Sequence, residues 1–206
     1  PYMKIAVCGC MTQEESAVEK IKKSYPYVDL IFGTHNLFCF PQYLCEVYES
    51  KNGGFDPKGH KITQIWDATD EIVEDLPVER KYSYKSGINI MFGCDNYCTY
   101  CIVPYVRGHE RSRQPGDIIR ECEKLAADGV VEVMLLGQNV NSYGRDLETP
   151  CSFAELLSAV AEVPGIKRVR FMTPHPKDMG RDVLEVIRDH PNIARHIHFP
   201  LQSGSN

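Results

Sequence analysis

From Ser86 onward the chain alternates short apolar runs with stretches whose apolar residues recur every three or four positions. No other feature limits the fold as much. Residues 88–92, 131–136, 167–172 and 196–200 have the length and composition of buried strands. Between them lies a helix from about Pro115, with Ile118, Cys122, Leu125 and Ala126 on one side. A second carries Phe153, Leu156, Leu157 and Val160 at i, i+3, i+4 and i+7, and a third runs through Val183 and Ile187. Strand–helix–strand repeats build parallel sheets through right-handed crossovers. This run therefore predicts most of an open (β/α) barrel.

A shorter βαβα pattern precedes it. Residues 4–7 and 29–33 are expected strands, and 14–24 and 38–48 expected helices, before a turn-rich break at 52–59. Asp67, Asp70, Glu71, Glu74, Asp75 and Glu79, with Pro77 near the end, read as a solvated acidic linker. The expected fold class is α/β. Residues 1–66 would belong to a small three-layer domain, 67–85 to the linker and 86–206 to the barrel portion.

Three cysteines within eight residues, Cys94, Cys98 and Cys101 in GCDNYCTYC, fall on the loop leaving the 88–92 strand. Thiolates hold iron–sulfur clusters, and three of them leave one iron of a [4Fe-4S] cubane open to bind and activate a small molecule. Zinc is an alternative, since a structural zinc site wants four closed ligands. His109 would complete a C-x3-C-x2-C-x7-H set in a zinc-stabilised binding module. Uncoordinated thiols are the third possibility. Pro104 and Gly108 are expected to keep the stretch after the cysteines irregular.

The formal charge of −5 and pI near 5.8 argue against tight, nonspecific binding to nucleic acid. Contact with RNA would need a local basic patch or further parts of the protein. At 206 residues, with 43% hydrophobic and 25% charged content, the chain can bury one sizeable core or two small ones. No run approaches the ~20 apolar residues of a membrane span. Nine cysteines without secretory features point to a reducing cytosol. Cys39, Cys45 and Cys122 are expected as small core residues, and Cys151 in a loop. The opening Pro-Tyr-Met, without an initiator methionine, is expected of an internal piece of a longer protein.

The cluster loop, with Tyr100 before its last cysteine and a strand ahead of it, resembles the signature of the radical S-adenosylmethionine (SAM) enzymes. Five segments in order resemble the methylthiotransferase branch: GCMTQ (9–13), GCDNYCTYCIVPYVRGHERSR (93–113), VMLLGQNVNSYG (133–144), RFMTPHP (170–176) and HFPLQSGSN (198–206). The third is similar to the tRNA-modifying members of MiaB type. The resemblance implies that SAM chelates the open iron and is split to a 5′-deoxyadenosyl radical. A radical is needed because no side-chain base has a pKa suited to an aromatic C–H bond. It further implies a second [4Fe-4S] cluster in the N-terminal domain, held by three cysteines, with Cys10 in the third position. Cys8 competes for that place, because two residues apart in a strand means the same face.

The implied reaction adds a methylthio group to C2 of N6-isopentenyladenosine beside the anticodon. Threonylcarbamoyladenosine in tRNA, or a ribosomal-protein aspartate, would be the substrate of other relatives. The implied partners are the tRNA anticodon stem-loop and an electron donor such as a flavodoxin or ferredoxin. A monomeric cytoplasmic enzyme with no membrane attachment is expected.

For SAM, the resemblance and the barrel rim together nominate Tyr100, Gln138, Asn139, Asn141, Gln202 and Ser205. The amides follow a strand on the C-terminal rim, where barrel sites gather. They would hold the amino group or ribose, or else cap their own loop. His175, between prolines, is expected to stiffen a turn. Arg107, Arg111 and Arg113 form the densest basic run and suit tRNA phosphate or the SAM carboxylate; a solvated surface run is the alternative.

Overall fold

The computed structural model describes residues 3–49, 62–76 and 78–200. The expected break at 52–59, and Gln202 and Ser205, lie outside them. The chain divides into two compact units, Pro1–Leu76 with Asp95–Gly108, and Pro77–Cys94 with His109–Asn206. Segment 95–108 thus groups with the first unit, whereas the sequence pattern places it with the barrel portion. Among the described residues no helix is long and apolar enough to cross a membrane.

In the first unit β1 (Ala6–Cys8), β2 (Leu30–Phe32) and β3 (Ile62–Gln64) make a parallel sheet in that order. Ala6 lies opposite Leu30, and Leu30 opposite Ile62. β3 was not expected, because Ile62-Thr63-Gln64 is too short to display a period. Strand β2 is central and wholly buried. Its alternate side chains serve two cores. Leu30 and Phe32 meet Tyr43 and Val47 of α2 (Phe40–Glu49), while Ile31 meets Val28 and Val18, the latter on α1 (Glu15–Ser24). The α2 helix starts two residues later than expected, after a 3-10 turn at Leu37–Cys39. Pro41 then occupies its first turn, where a missing N–H is harmless. Cys39 packs against the α2 core, but Cys45 is exposed on the outer side of the helix, not in the core as expected.

The segment 95–108 holds a short helix, α3 (Val103–Arg107), where irregular chain was expected. Pro104 sits in the first turn, and Gly108, at φ 71°, ends it.

In the second unit β4 (Lys85–Asn89) continues, after one residue, into β5 (Met91–Phe92), which pairs antiparallel with β6 (Arg111–Ser112). Strands β4, β7 (Glu132–Leu136) and β8 (Arg168–Phe171) form a parallel sheet in the order β4-β7-β8, with Lys85, Glu132 and Arg168 in register. Helices α4 (Pro115–Ala127), α5 (Phe153–Ala161) and α6 (Arg181–Asp189) complete the βα rhythm close to the expected places. Ile88, Val133, Leu135, Val169 and Phe171 point into one continuous core with Ile118, Cys122, Leu156, Leu157, Val160, Val183 and Ile187. On the other face Glu132 pairs with Arg168 at 3.5 Å and with Arg170 at 3.3 Å. Helix α5 opens with a capping box between Ser152 and Glu155.

The strand expected at 196–200 does not form. The chain meets Val169 instead through an isolated parallel bridge from Ile193, where Ala194 N–H donates to the Val169 carbonyl at 2.9 Å. Beyond it only Ile197 and Phe199 are apolar among Arg195, His196 and His198, and Pro200 brings no N–H to a ladder.

Candidate functional site

The β4–β5 run ends at Gly93, which delivers Cys94 with only 8% of its surface exposed. Cys94 belongs to the larger unit, and Cys98 and Cys101, both half-buried, to the smaller. A turn in which Cys101 N–H donates to the Cys98 carbonyl at 2.8 Å joins the latter two. Tyr100, between them, is 70% exposed, and His109 is exposed. None of the nine cysteines is in a disulfide. Among the described residues no group of three or more His, Cys, Asp or Glu side chains is gathered to hold a metal. The donor set itself is three unbridged thiols within eight residues, and that chemistry suits an iron–sulfur cluster with one unligated iron.

The loop after β7 is the best-defined polar feature of the larger unit. Asn139 is fully buried, and Asn141 nearly so. Asn139 begins a 3-10 turn, Val140–Ser142, without a side-chain cap, so the capping role is absent there. Its Nδ2 instead donates to Asp178 Oδ2 at 2.8 Å. A carboxylate only accepts, so this contact fixes which end of the amide faces it. Asp178 also takes Arg145 Nη2 at 2.8 Å. Asn141 Nδ2 reaches the Met179 sulfur at 3.7 Å. Gln138 Oε1, Asn139 Oδ1 and Asn141 Oδ1 are left buried with no hydrogen-bond partner among the described residues. Three orphaned amide acceptors in one loop suit a ligand that brings N–H or O–H donors, as the amino group and ribose of SAM do.

Neighbouring contacts hold this loop in place. Ser142 Oγ donates to Glu110 Oε1 at 2.7 Å, and Tyr143 OH to the Arg113 carbonyl at 2.8 Å. Thr173, at the positive φ of 57°, donates its hydroxyl to the Gly137 carbonyl at 2.7 Å. His175 Nδ1 accepts from Lys177 N–H at 3.2 Å, capping the turn at Pro176–Asp178. The expected turn-stiffening role of His175 is therefore what its side chain performs. Asp178 went unnoticed in the sequence because its partners lie 33 and 39 residues away.

The three arginines separate. Arg113 is buried, with Nη1 2.7 Å from Glu121 Oε2 and 2.6 Å from the Asn89 carbonyl. A guanidinium enclosed in that way is a strut between β4 and α4, so its assignment to substrate is corrected. Arg111 is half-buried, 5.9 Å from the centre of the Phe92 ring. Arg107, in the smaller unit, donates from Nε to Cys10 Sγ at 3.1 Å.

Cys8 and Cys10 differ in exposure and in local structure. Cys8 ends β1 exposed, and Gly9 then takes φ 128° and ψ −169°, the mirror image of an extended residue. Cys10 starts a 3-10 turn, Cys10–Gln13, and is half-buried. The two-residue rule holds within a strand, and β1 ends at Cys8, so it does not reach Cys10.

The family model of the Radical SAM superfamily matches residues 88–206. The chain is 57% identical over 205 residues to a protein of Lachnoclostridium phytofermentans named tRNA-2-methylthio-N(6)-dimethylallyladenosine synthase, covering 100% of this chain and 43% of that protein. A protein of the same name from Clostridium tetani is 54% identical over 206 residues, covering 100% and 44%. The chain thus spans less than half the length of these curated relatives. Among solved structures, the radical S-adenosylmethionine methyltransferase TsrM from Kitasatospora setae aligns over 91% of this chain and 54% of its own, at 14% identity and a TM-score of 0.41. With the family match extending over more than half its residues, the chain belongs to the radical SAM superfamily.

Proposed function

We propose that this chain is part of a tRNA methylthiotransferase that adds a methylthio group to C2 of N6-isopentenyladenosine next to the anticodon. The observation that carries the proposal is identity of 57% and 54%, across the whole chain, with relatives named for that reaction. Residues 1–66 would serve an auxiliary-cluster domain and 86–206 a SAM-binding barrel, joined by 67–85. Cys94, Cys98 and Cys101 would hold the SAM-binding [4Fe-4S] cluster, and Cys10 one corner of the auxiliary cluster. Bound there, clusters and SAM would supply the electron, the radical able to attack an unactivated C–H bond, and the sulfur.

The protein's own side chains bind and orient. Gln138, Asn139 and Asn141 present amide oxygens to donors on SAM without placing a full negative charge beside the sulfonium. Asp178 contributes by engaging the Asn139 nitrogen, which leaves the oxygen as the open acceptor. Tyr100, Gln202 and Ser205 would complete the SAM contacts, and Arg111 is the remaining candidate for phosphate or carboxylate. The tRNA anticodon stem-loop and a flavodoxin or ferredoxin would be the partners of a monomeric enzyme in the cytoplasm.

Mass spectrometry of tRNA nucleosides from a deletion strain tests the substrate. Loss of 2-methylthio-N6-isopentenyladenosine, with accumulation of the unmethylthiolated nucleoside, is expected; an unchanged level rejects the proposal. In the full-length protein Cys98→Ala should reduce 5′-deoxyadenosine formation to background, and retained formation would reject the cluster assignment.

A further inference from the structure

We propose that Arg107 is a positioning residue for the auxiliary cluster, holding the sulfur of Cys10 through a charge-assisted N–H···S hydrogen bond. The proposal rests on the reading of Cys10 as a ligand of that cluster. Arg107 Nε lies 3.1 Å from Cys10 Sγ although 97 residues separate them in the chain. The guanidinium is planar and always charged, so its Nε–H sets a direction that a lysine ammonium cannot.

Both sides of this contact are anchored to the end of β2. Thr34 Oγ1 donates to the Val106 carbonyl at 3.0 Å, which fixes the last turn of α3 one residue before Arg107. Gln13 Oε1 accepts from Thr34 N–H at 2.9 Å, and Gln13 Nε2 donates to the Trp66 carbonyl at 2.9 Å. Thr12, buried, places its hydroxyl 2.6 Å from the Phe32 carbonyl and 2.8 Å from that of Gly9. Turn Cys10–Gln13 and helix α3 are therefore pinned by separate threonines to neighbouring residues of one strand end. Arg107 is half-buried, and its Nε is committed to a thiol. Hydrogen bonds to cluster sulfurs favour the reduced, more negative state and are among the levers that set cluster potentials.

The test uses full-length protein carrying Cys94→Ala, Cys98→Ala and Cys101→Ala, reconstituted anaerobically so that the auxiliary cluster is the one iron–sulfur centre. Potentiometric titration followed by EPR should show a more negative midpoint and altered g-values in Arg107→Gln. Arg107→Lys, which keeps the charge and loses the direction, should shift by less. An unchanged midpoint and spectrum in Arg107→Gln at full iron content would overturn the assignment while leaving the cluster reading intact. Should the glutamine variant not retain iron, the lysine variant decides: a negative shift supports the proposal and an unmoved midpoint overturns it. Full auxiliary iron in Cys10→Ala would overturn the ligand reading and the proposal together.

Discussion

In the smaller unit one three-residue strand, Leu30–Phe32, carries apolar side chains to two separate clusters, neither with more than a few buried members. In the larger unit apolar contact runs unbroken from Ile88 through Leu157 to Ile193. The difference is made up by polar side chains that bond to backbone. Asn36, fully buried, donates to the Tyr43 hydroxyl and the Gln64 carbonyl, each at 2.9 Å, and accepts from Gly33 N–H at 3.1 Å. Asp29 takes Ile5 N–H at 2.8 Å and pairs with Lys4 at 3.2 Å. Burial is non-directional, but a hydrogen bond fixes position. The contrast teaches that the region bearing Cys10 is organised by directional contacts where hydrophobic area is scarce.

That contrast can be broken by substitution. Leu157→Ala, in the middle of the larger core, should cost about 2–5 kcal/mol in urea denaturation, through lost contacts and a cavity. Asn36→Ala should cost about 1–3 kcal/mol, because three partners lose their bond at once. A loss in Asn36→Ala of only a few tenths would show that the polar contacts are incidental. Ser152→Ala removes the cap of α5, for about 0.5–2 kcal/mol, and sharpens the comparison: a loss larger than that of Asn36→Ala would show that the larger unit leans on polar groups as much as the smaller. The smallest effect is expected for Cys45→Ser, within about 0.5 kcal/mol, since the side chain is exposed. In the native protein at pH 8 Cys45 should react with iodoacetamide while Cys122 resists. Burial, reinforced by the Glu121 carboxylate, pushes the Cys122 thiol up to about 12, so almost no thiolate is present. Rapid labelling of Cys122 would contradict the closed core.

The larger unit was readable from sequence because each of its helices shows an apolar stripe and strands β7 and β8 a continuous or alternating apolar run. The expected 88–92 strand is instead divided between β4, Lys85–Asn89, whose one large apolar residue is Ile88, and β5, Met91–Phe92. What failed there, the 196–200 strand, was the run with two histidines and a terminal proline. The smaller unit was half readable. Strand β3 and the turn before α2 are too short for periodicity to register, and β1 ends at Cys8, short of the residue with which the strand rule compared it. At the site, the cysteine loop and the amide loop announce themselves by spacing and by residue type. Asp178, the Glu121 partner of Arg113, and the reach of Arg107 to Cys10 depend on chain distances that no local pattern encodes.

Gly9 has a consequence for chemical synthesis of this region. A Cβ in the L configuration at that α-carbon would meet no atom within 4 Å, so handedness and not room disfavours an ordinary side chain there. Its torsions are those of a D-residue in a strand, and semisynthetic protein with D-alanine at position 9 should keep the Cys10 sulfur on its present heading. The L-enantiomer, one stereocentre different, should turn it away.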